Sequence, residues 1–156
     1  MKGKPEVLTA LHDLLPDLAT CMAQVRANAQ ILRSWGYEKL KHKLHGFFYN
    51  ENDYTKQIIN RYLFLDGVLD SGAFAAEPKI GSDVPEMFHN DLDAVNAYII
   101  SFNDAIEIAE EGDNTTAKIL RKILKGLEKQ AQWYEIQLRQ IGDLGLDGYL
   151  SEQLEE

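Results

Sequence analysis

One cysteine, four histidines and a shortage of basic residues set the first limits on this chain. With Cys21 alone, no internal disulfide framework can form. Sixteen Lys and Arg stand against 25 Asp and Glu, a formal charge of −9. That balance argues against nucleic acid as a partner, because phosphate binding needs concentrated Lys and Arg. No run of 18 apolar residues is present, so no membrane span is expected. The opening MKGKPEV is not followed by the apolar core of a signal peptide, and a cytoplasmic protein is expected. Strand-like alternation, internal repeats and low-complexity tracts are missing. So are a Gly-rich phosphate loop, a nucleophile elbow and zinc-site spacing. The pair Glu-x-x-His occurs once, as Glu86-Met87-Phe88-His89.

What is present is helical. Hydrophobic residues make up 45% of 156, enough for one core, and the whole chain 1–156 reads as a single domain. Gly36, Gly67, Gly112 and the stretch Gly142 to Gly145 punctuate long helix-forming segments. The segments span about 5–35, 38–66, 84–111 and 114–141, with a short fifth at about 146–154. Ser82-Asp83-Val84-Pro85-Glu86 supplies caps, an early proline and an acid for the third, and Asp113 caps the fourth.

The apolar stripes fix the class. The first helix carries Leu8, Leu11, Leu15, Leu18, Met22, Val25, Ala29 and Leu32 at steps of three and four. The second carries Leu40, Leu44, Phe47, Glu51, Tyr54, Ile58 and Leu65, with Glu51 and Arg61 as the interior misfits. The third carries Phe88, Asp91, Val95, Tyr98, Phe102, Ala105 and Ala109. The fourth carries Leu120, Leu124, Leu127, Ala131, Tyr134, Leu138 and Ile141. Four such stripes predict an all-α bundle with near-parallel axes. Short turns make helices one and two, and three and four, antiparallel pairs. Residues 67–83 form a long link that can run back along a whole helix at roughly 3.3 Å per residue. The prediction is therefore two hairpins joined by one long crossover.

Several segments carry a resemblance. They are MKGKPEVLTALHDLLPDL, SWGYEKL at 34–40, INRYLFLDGVL at 59–69, IGSDVPEMFHNDL at 80–92 and LGLDGYL at 144–150. Spread over all five helices, they make the chain similar to the bacterioferritin family. The resemblance implies a ferritin-like four-helix bundle with one long crossover and a short fifth C-terminal helix. It also implies a hollow octahedral 24-mer cage. Bacterioferritins oxidise Fe(II) at a di-iron centre inside each bundle and store Fe(III) mineral in the cavity. They bind haem between paired subunits through a methionine from each.

A di-iron carboxylate centre takes a Glu from each of two helices and Glu-x-x-His from each of the other two. Onto this chain the resemblance maps those six positions as Leu18, Glu51, Tyr54, Val95, Leu127 and Gln130, so only Glu51 keeps a ligand type. Without metal, buried carboxylates carry a desolvation cost, and apolar replacements relieve it. The chain is thus a degenerate member, with no catalytic or metal-binding residues expected. For Glu51 two readings stand: a surviving ligand for one weakly held ion, or a buried acid satisfied by Tyr54, Gln130 or water. Tyr54, Trp133 and Tyr134 are read as core aromatics. At the haem-ligand position stands Asn52, whose amide is a poor iron ligand. Met22 is either a substitute ligand or core filler, and Arg26 and Asp53 are pocket candidates that could pair across a dimer contact. No cofactor is expected in the bundle and no haem; a cage cavity could hold iron mineral.

Elsewhere Glu38, His42 and His45 share a helix face and could hold a divalent ion, or be a solvated surface. His12 and His89 are isolated in sequence, and Cys21 reads as a buried small hydrophobe. The expectation is a subunit of an iron-storage cage that is non-catalytic alone. Its partners would be copies of itself or a ferroxidase-competent bacterioferritin subunit. The alternatives are a binding protein with a different ligand in the cage or dimer pocket, and a ferroxidase with atypical ligands.

Overall fold

The computed structural model describes residues 2–154. Four long helices account for most of them: α1 (Pro5–Ser34), α2 (Glu38–Phe64), α3 (Val84–Glu110) and α4 (Asn114–Leu144). A short α5 (Leu146–Ser151) follows. No strand occurs among the described residues, and no helix there is long and apolar enough to cross a membrane.

Local chemistry explains the boundaries. The Asp83 carboxylate accepts from the Glu86 amide at 2.9 Å, and Asp113 accepts from the Thr116 amide at 3.0 Å. Each satisfies an orphan N–H of a first turn. Gly36, at φ 89°, turns the chain from α1 into α2, and Gly145, at φ 76°, separates α4 from α5; both lie where a Cβ is penalised. Gly142 does not end its helix, and α4 runs through it to Leu144.

Cross-contacts give the topology. α1 packs on α2, α3 packs on α4, and α1 also packs on α3. α2 and α4 meet over a much smaller area. The crossover climbs beside α1 and is strapped to it at three levels. His12 Nε2 lies 3.2 Å from Asp70, the Glu77 amide donates to Thr20 at 3.0 Å, and the Lys79 amide donates to Gln24 at 2.8 Å. Delivered to the far end, the chain enters α3 antiparallel to α1. His12, isolated in sequence, thus sits between Asp70 and Asp13, whose carboxylates raise its pKa.

The core holds the predicted stripes of α1, α2 and α3 with small changes. Leu8, Met22 and Tyr54 are only partly buried. On α4 the inner face is rotated from the apolar stripe. Ile123, Gln130 and Gln137 are buried, while Leu124, Leu138 and Ile141 are partly exposed and pack against the edge of the core. Buried polar residues make this difference: Gln130 and Gln137 are absent from the apolar stripe, yet Gln130 donates to Glu51, one of the partners expected for that acid, and Gln137 accepts from Tyr149. Arg61, the other misfit, spans from α2 to the start of α4, donating to Asp113 and to Thr116 at 2.9 Å.

Candidate functional site

At mid-bundle, Leu18, Val95 and Leu127 are buried in one apolar cluster with relative exposures of 0%, 1% and 0%. They come from α1, α3 and α4. Glu51 projects from α2 into the same region and is also 0% exposed. Its Oε2 accepts from Gln130 Nε2 at 3.2 Å, and its Oε1 has no hydrogen-bond partner. Burial pushes the Glu51 carboxyl up to about 8, against the lowering effect of Gln130 and the adjacent Cys21 thiol. The acid is therefore mostly protonated at neutral pH.

Tyr54 does not share in this bond. Its hydroxyl lies against Gly126 of α4, where a Cβ would stand 1.9 Å from it. The partner Glu51 takes is Gln130, from across the seam. Cys21, read as an inert small hydrophobe, is indeed buried and free. Its thiol is pushed well up by burial and by the neighbouring Glu51, so it stays protonated while the bundle is closed.

This donor set does not fit a di-iron centre. A single carboxyl, an amide and a protonated thiol face leucine and valine, and iron of this type needs several hard oxygen donors with imidazole. Among the described residues no group of three or more His, Cys, Asp or Glu side chains is placed to hold a metal ion.

A second polar centre lies in the core, one that the sequence reading passed over. Asp91 of α3 is 2% exposed. Gln24 donates to its Oδ1 at 2.7 Å, Asn28 donates to both oxygens at 3.1 and 3.2 Å, and Tyr134 donates to Oδ2 at 3.0 Å. Burial raises the Asp91 carboxyl to about 6, and the donors hold it from going further. Gln24 also accepts from the Lys79 amide, so the network joins the core to the crossover. A signal was available: Asp91 stands on the predicted stripe of its helix, and Gln24 and Asn28 are one turn apart on α1.

The remaining candidates are scattered. Asn52 is partly buried on α2. The Met22 sulfur accepts from the Thr55 hydroxyl at 3.6 Å. Arg26 lies over the Phe48 ring at 5.4 Å, and Asp53 accepts from Gln57 at 2.7 Å. Phe48 and Thr55, which Arg26 and Met22 touch, lie one turn on either side of Asn52 on α2, and an amide beside an engaged thioether does not supply the axial sulfur of a methionine haem site. On the α2 surface Glu38 pairs with Lys41 at 3.5 Å and lies 3.9 Å from His42, while His45 turns to Gln30 at 3.3 Å. The three do not close on one point.

Comparison with known proteins agrees with this architecture. A family model described as a ferritin-like domain matches residues 8–144. The chain is 34% identical to the bacterial ferritin of Synechocystis sp., covering 99% of each chain. It is 32% identical to the bacterial ferritin of Paramagnetospirillum magnetotacticum, covering 96% of this chain and 93% of that one. It is 29% identical to the bacterioferritin of Mycobacterium avium, covering 96% and 94%.

Proposed function

Since this chain belongs to the ferritin family, we propose that it is a bacterioferritin-like subunit of an iron-storing cage that builds the shell without oxidising iron itself. It assembles with copies of itself or with a subunit that carries an intact ferroxidase centre. One observation carries the reading: Leu18, Val95 and Leu127 are packed into the core where the bacterioferritin resemblance places carboxylate ligands. A bundle filled there with leucine and valine gains stability from apolar burial and has no anionic cage to offset the charge of two irons. The surviving Glu51 is held by one amide bond and kept neutral by burial, which is the state of an acid that has lost its metal.

The test is Fe(II) oxidation by the purified homomeric protein. The expected rate equals that of a buffer control. Saturable oxidation at two irons per subunit would overturn the assignment. Native mass spectrometry of protein from its own cells distinguishes self-assembly from mixed assembly.

A further inference from the structure

Gly126 lies in the interior of α4 with ordinary helical φ, so no backbone requirement explains it. An interior glycine costs a helix about 1 kcal/mol relative to alanine. The reason is space. A Cβ at Gly126 would stand 1.9 Å from the Tyr54 hydroxyl and 2.9 Å from the ring carbon that bears it. Tyr54 thus crosses from α2 and seats its hydroxyl in a notch that only glycine leaves open. That hydroxyl makes no hydrogen bond to another described residue; fit alone holds it there.

The place matters, because α2 and α4 make the fewest close backbone approaches of the neighbouring long-helix pairs. Above the notch, Phe47 stacks on Trp133 at 5.5 Å and Glu51 takes its bond from Gln130. Below it, Arg61 reaches Asp113 and Thr116. Between them Tyr54 and Gly126, both partly exposed, are the outer layer, with Glu51 fully buried one turn along α2. We propose that Tyr54 seated on Gly126 is a plug that closes the α2–α4 seam and shuts water and divalent cations out of the Glu51 centre. This deepens the non-catalytic reading and rests on it for its meaning, though not for its test.

Cys21 is the one cysteine, is buried, and lies beside Glu51, so it reports on the seam from within. The experiment measures labelling of the assembled protein by methyl methanethiosulfonate, followed by intact mass. Tyr54→Ala is expected to label about tenfold faster than wild type through local opening. Gly126→Ala should also label faster, because its methyl evicts the hydroxyl. The double variant Tyr54→Phe with Gly126→Ala removes the 1.9 Å clash and leaves the 2.9 Å approach to the ring, so its rate should fall below that of Gly126→Ala. Ile123→Ala, a buried truncation one turn away, controls for general loosening. The plug is overturned if Tyr54→Ala labels no faster than Ile123→Ala. It is equally overturned if the double variant labels as fast as Gly126→Ala alone. Zn(II) titration of the wild type is the separate arm. Stoichiometric uptake there would sink the non-catalytic reading, while the plug stands or falls on the thiol rates.

Discussion

Glu51 and Asp91 are both carboxyls buried in the same bundle, at 0% and 2% exposure, yet they are built differently. Asp91 takes donors from Gln24, Asn28 and Tyr134 on two neighbouring helices, and one donor is tied onward to the crossover. Glu51 takes one bond, from Gln130, and leaves Oε1 unpaired. Burial raises both, but Asp91 only to about 6 and Glu51 to about 8. A buried acid with a full set of donors is part of the architecture. A buried acid with one weak partner is a remnant, tolerated because protonation removes most of its desolvation cost.

The largest test of that contrast crowds the remnant. Leu127→Ala removes a fully buried leucine and should cost about 2–5 kcal/mol of unfolding free energy. Leu127→Glu should cost more in the absence of metal, since it sets a second carboxyl near Glu51 with no cation to neutralise the pair. If the centre were a metal site with unusual ligands, the order would reverse and Zn(II) or Fe(II) would stabilise Leu127→Glu. Denaturant titrations of both variants, with and without metal, decide between these outcomes.

Next in size is removal of the well-built acid. Asp91→Ala deletes the acceptor of three buried donors and leaves Gln24, Asn28 and Tyr134 unsatisfied. A loss of about 3 kcal/mol is expected at neutral pH. The variant should also loosen the crossover, read as faster amide exchange at Lys79, whose amide donates to Gln24. Unchanged exchange at Lys79 would show that the network does not hold the crossover.

The two centres were unequally legible in the sequence. Apolar periodicity located α1, α2 and α3 well, because leucine and phenylalanine at steps of three and four leave one inward face. The length of the crossover announced the topology. Leu18, Val95 and Leu127 were readable as core once the resemblance gave them positions. Periodicity failed on α4 because its inner face includes Gln130 and Gln137, which a hydrophobic count assigns to solvent. It also passed over the Asp91 network, since a buried polar cluster depends on partners far apart in sequence, 67 residues from Gln24 and 43 from Tyr134; within it only Asn28 Oδ1 has no partner among the described residues. For the same reason the sequence offers Tyr54 beside Gln130 and water as a partner for Glu51, one turn away, and does not show the notch on another helix.

The most specific of these tests is the one that carries a pH signature. A carboxyl whose folded pKa is about 8 against an ordinary 4.5 binds its proton more tightly in the folded state. Rising pH then favours the unfolded state, where the group ionises freely. The destabilisation is absent below about pH 4.5, grows through the window to pH 8, and is fully developed above it. Glu51→Gln keeps the shape and an acceptor for Gln130 but cannot ionise. At pH 8.5 the variant should be more stable than wild type by roughly 2–4 kcal/mol. At pH 5 the two should agree within about 1 kcal/mol, since the buried acid is then neutral and nearly isosteric with the amide. Asp91→Asn should not copy this gain. Its amide nitrogen would face the donors now aimed at a carboxylate oxygen, so the variant should lose stability at both pH values. Guanidinium titrations at the two pH values measure all four differences. Equal stability of Glu51→Gln and wild type at pH 8.5 would mean that Glu51 ionises without penalty. The contrast between remnant and architecture would then be lost.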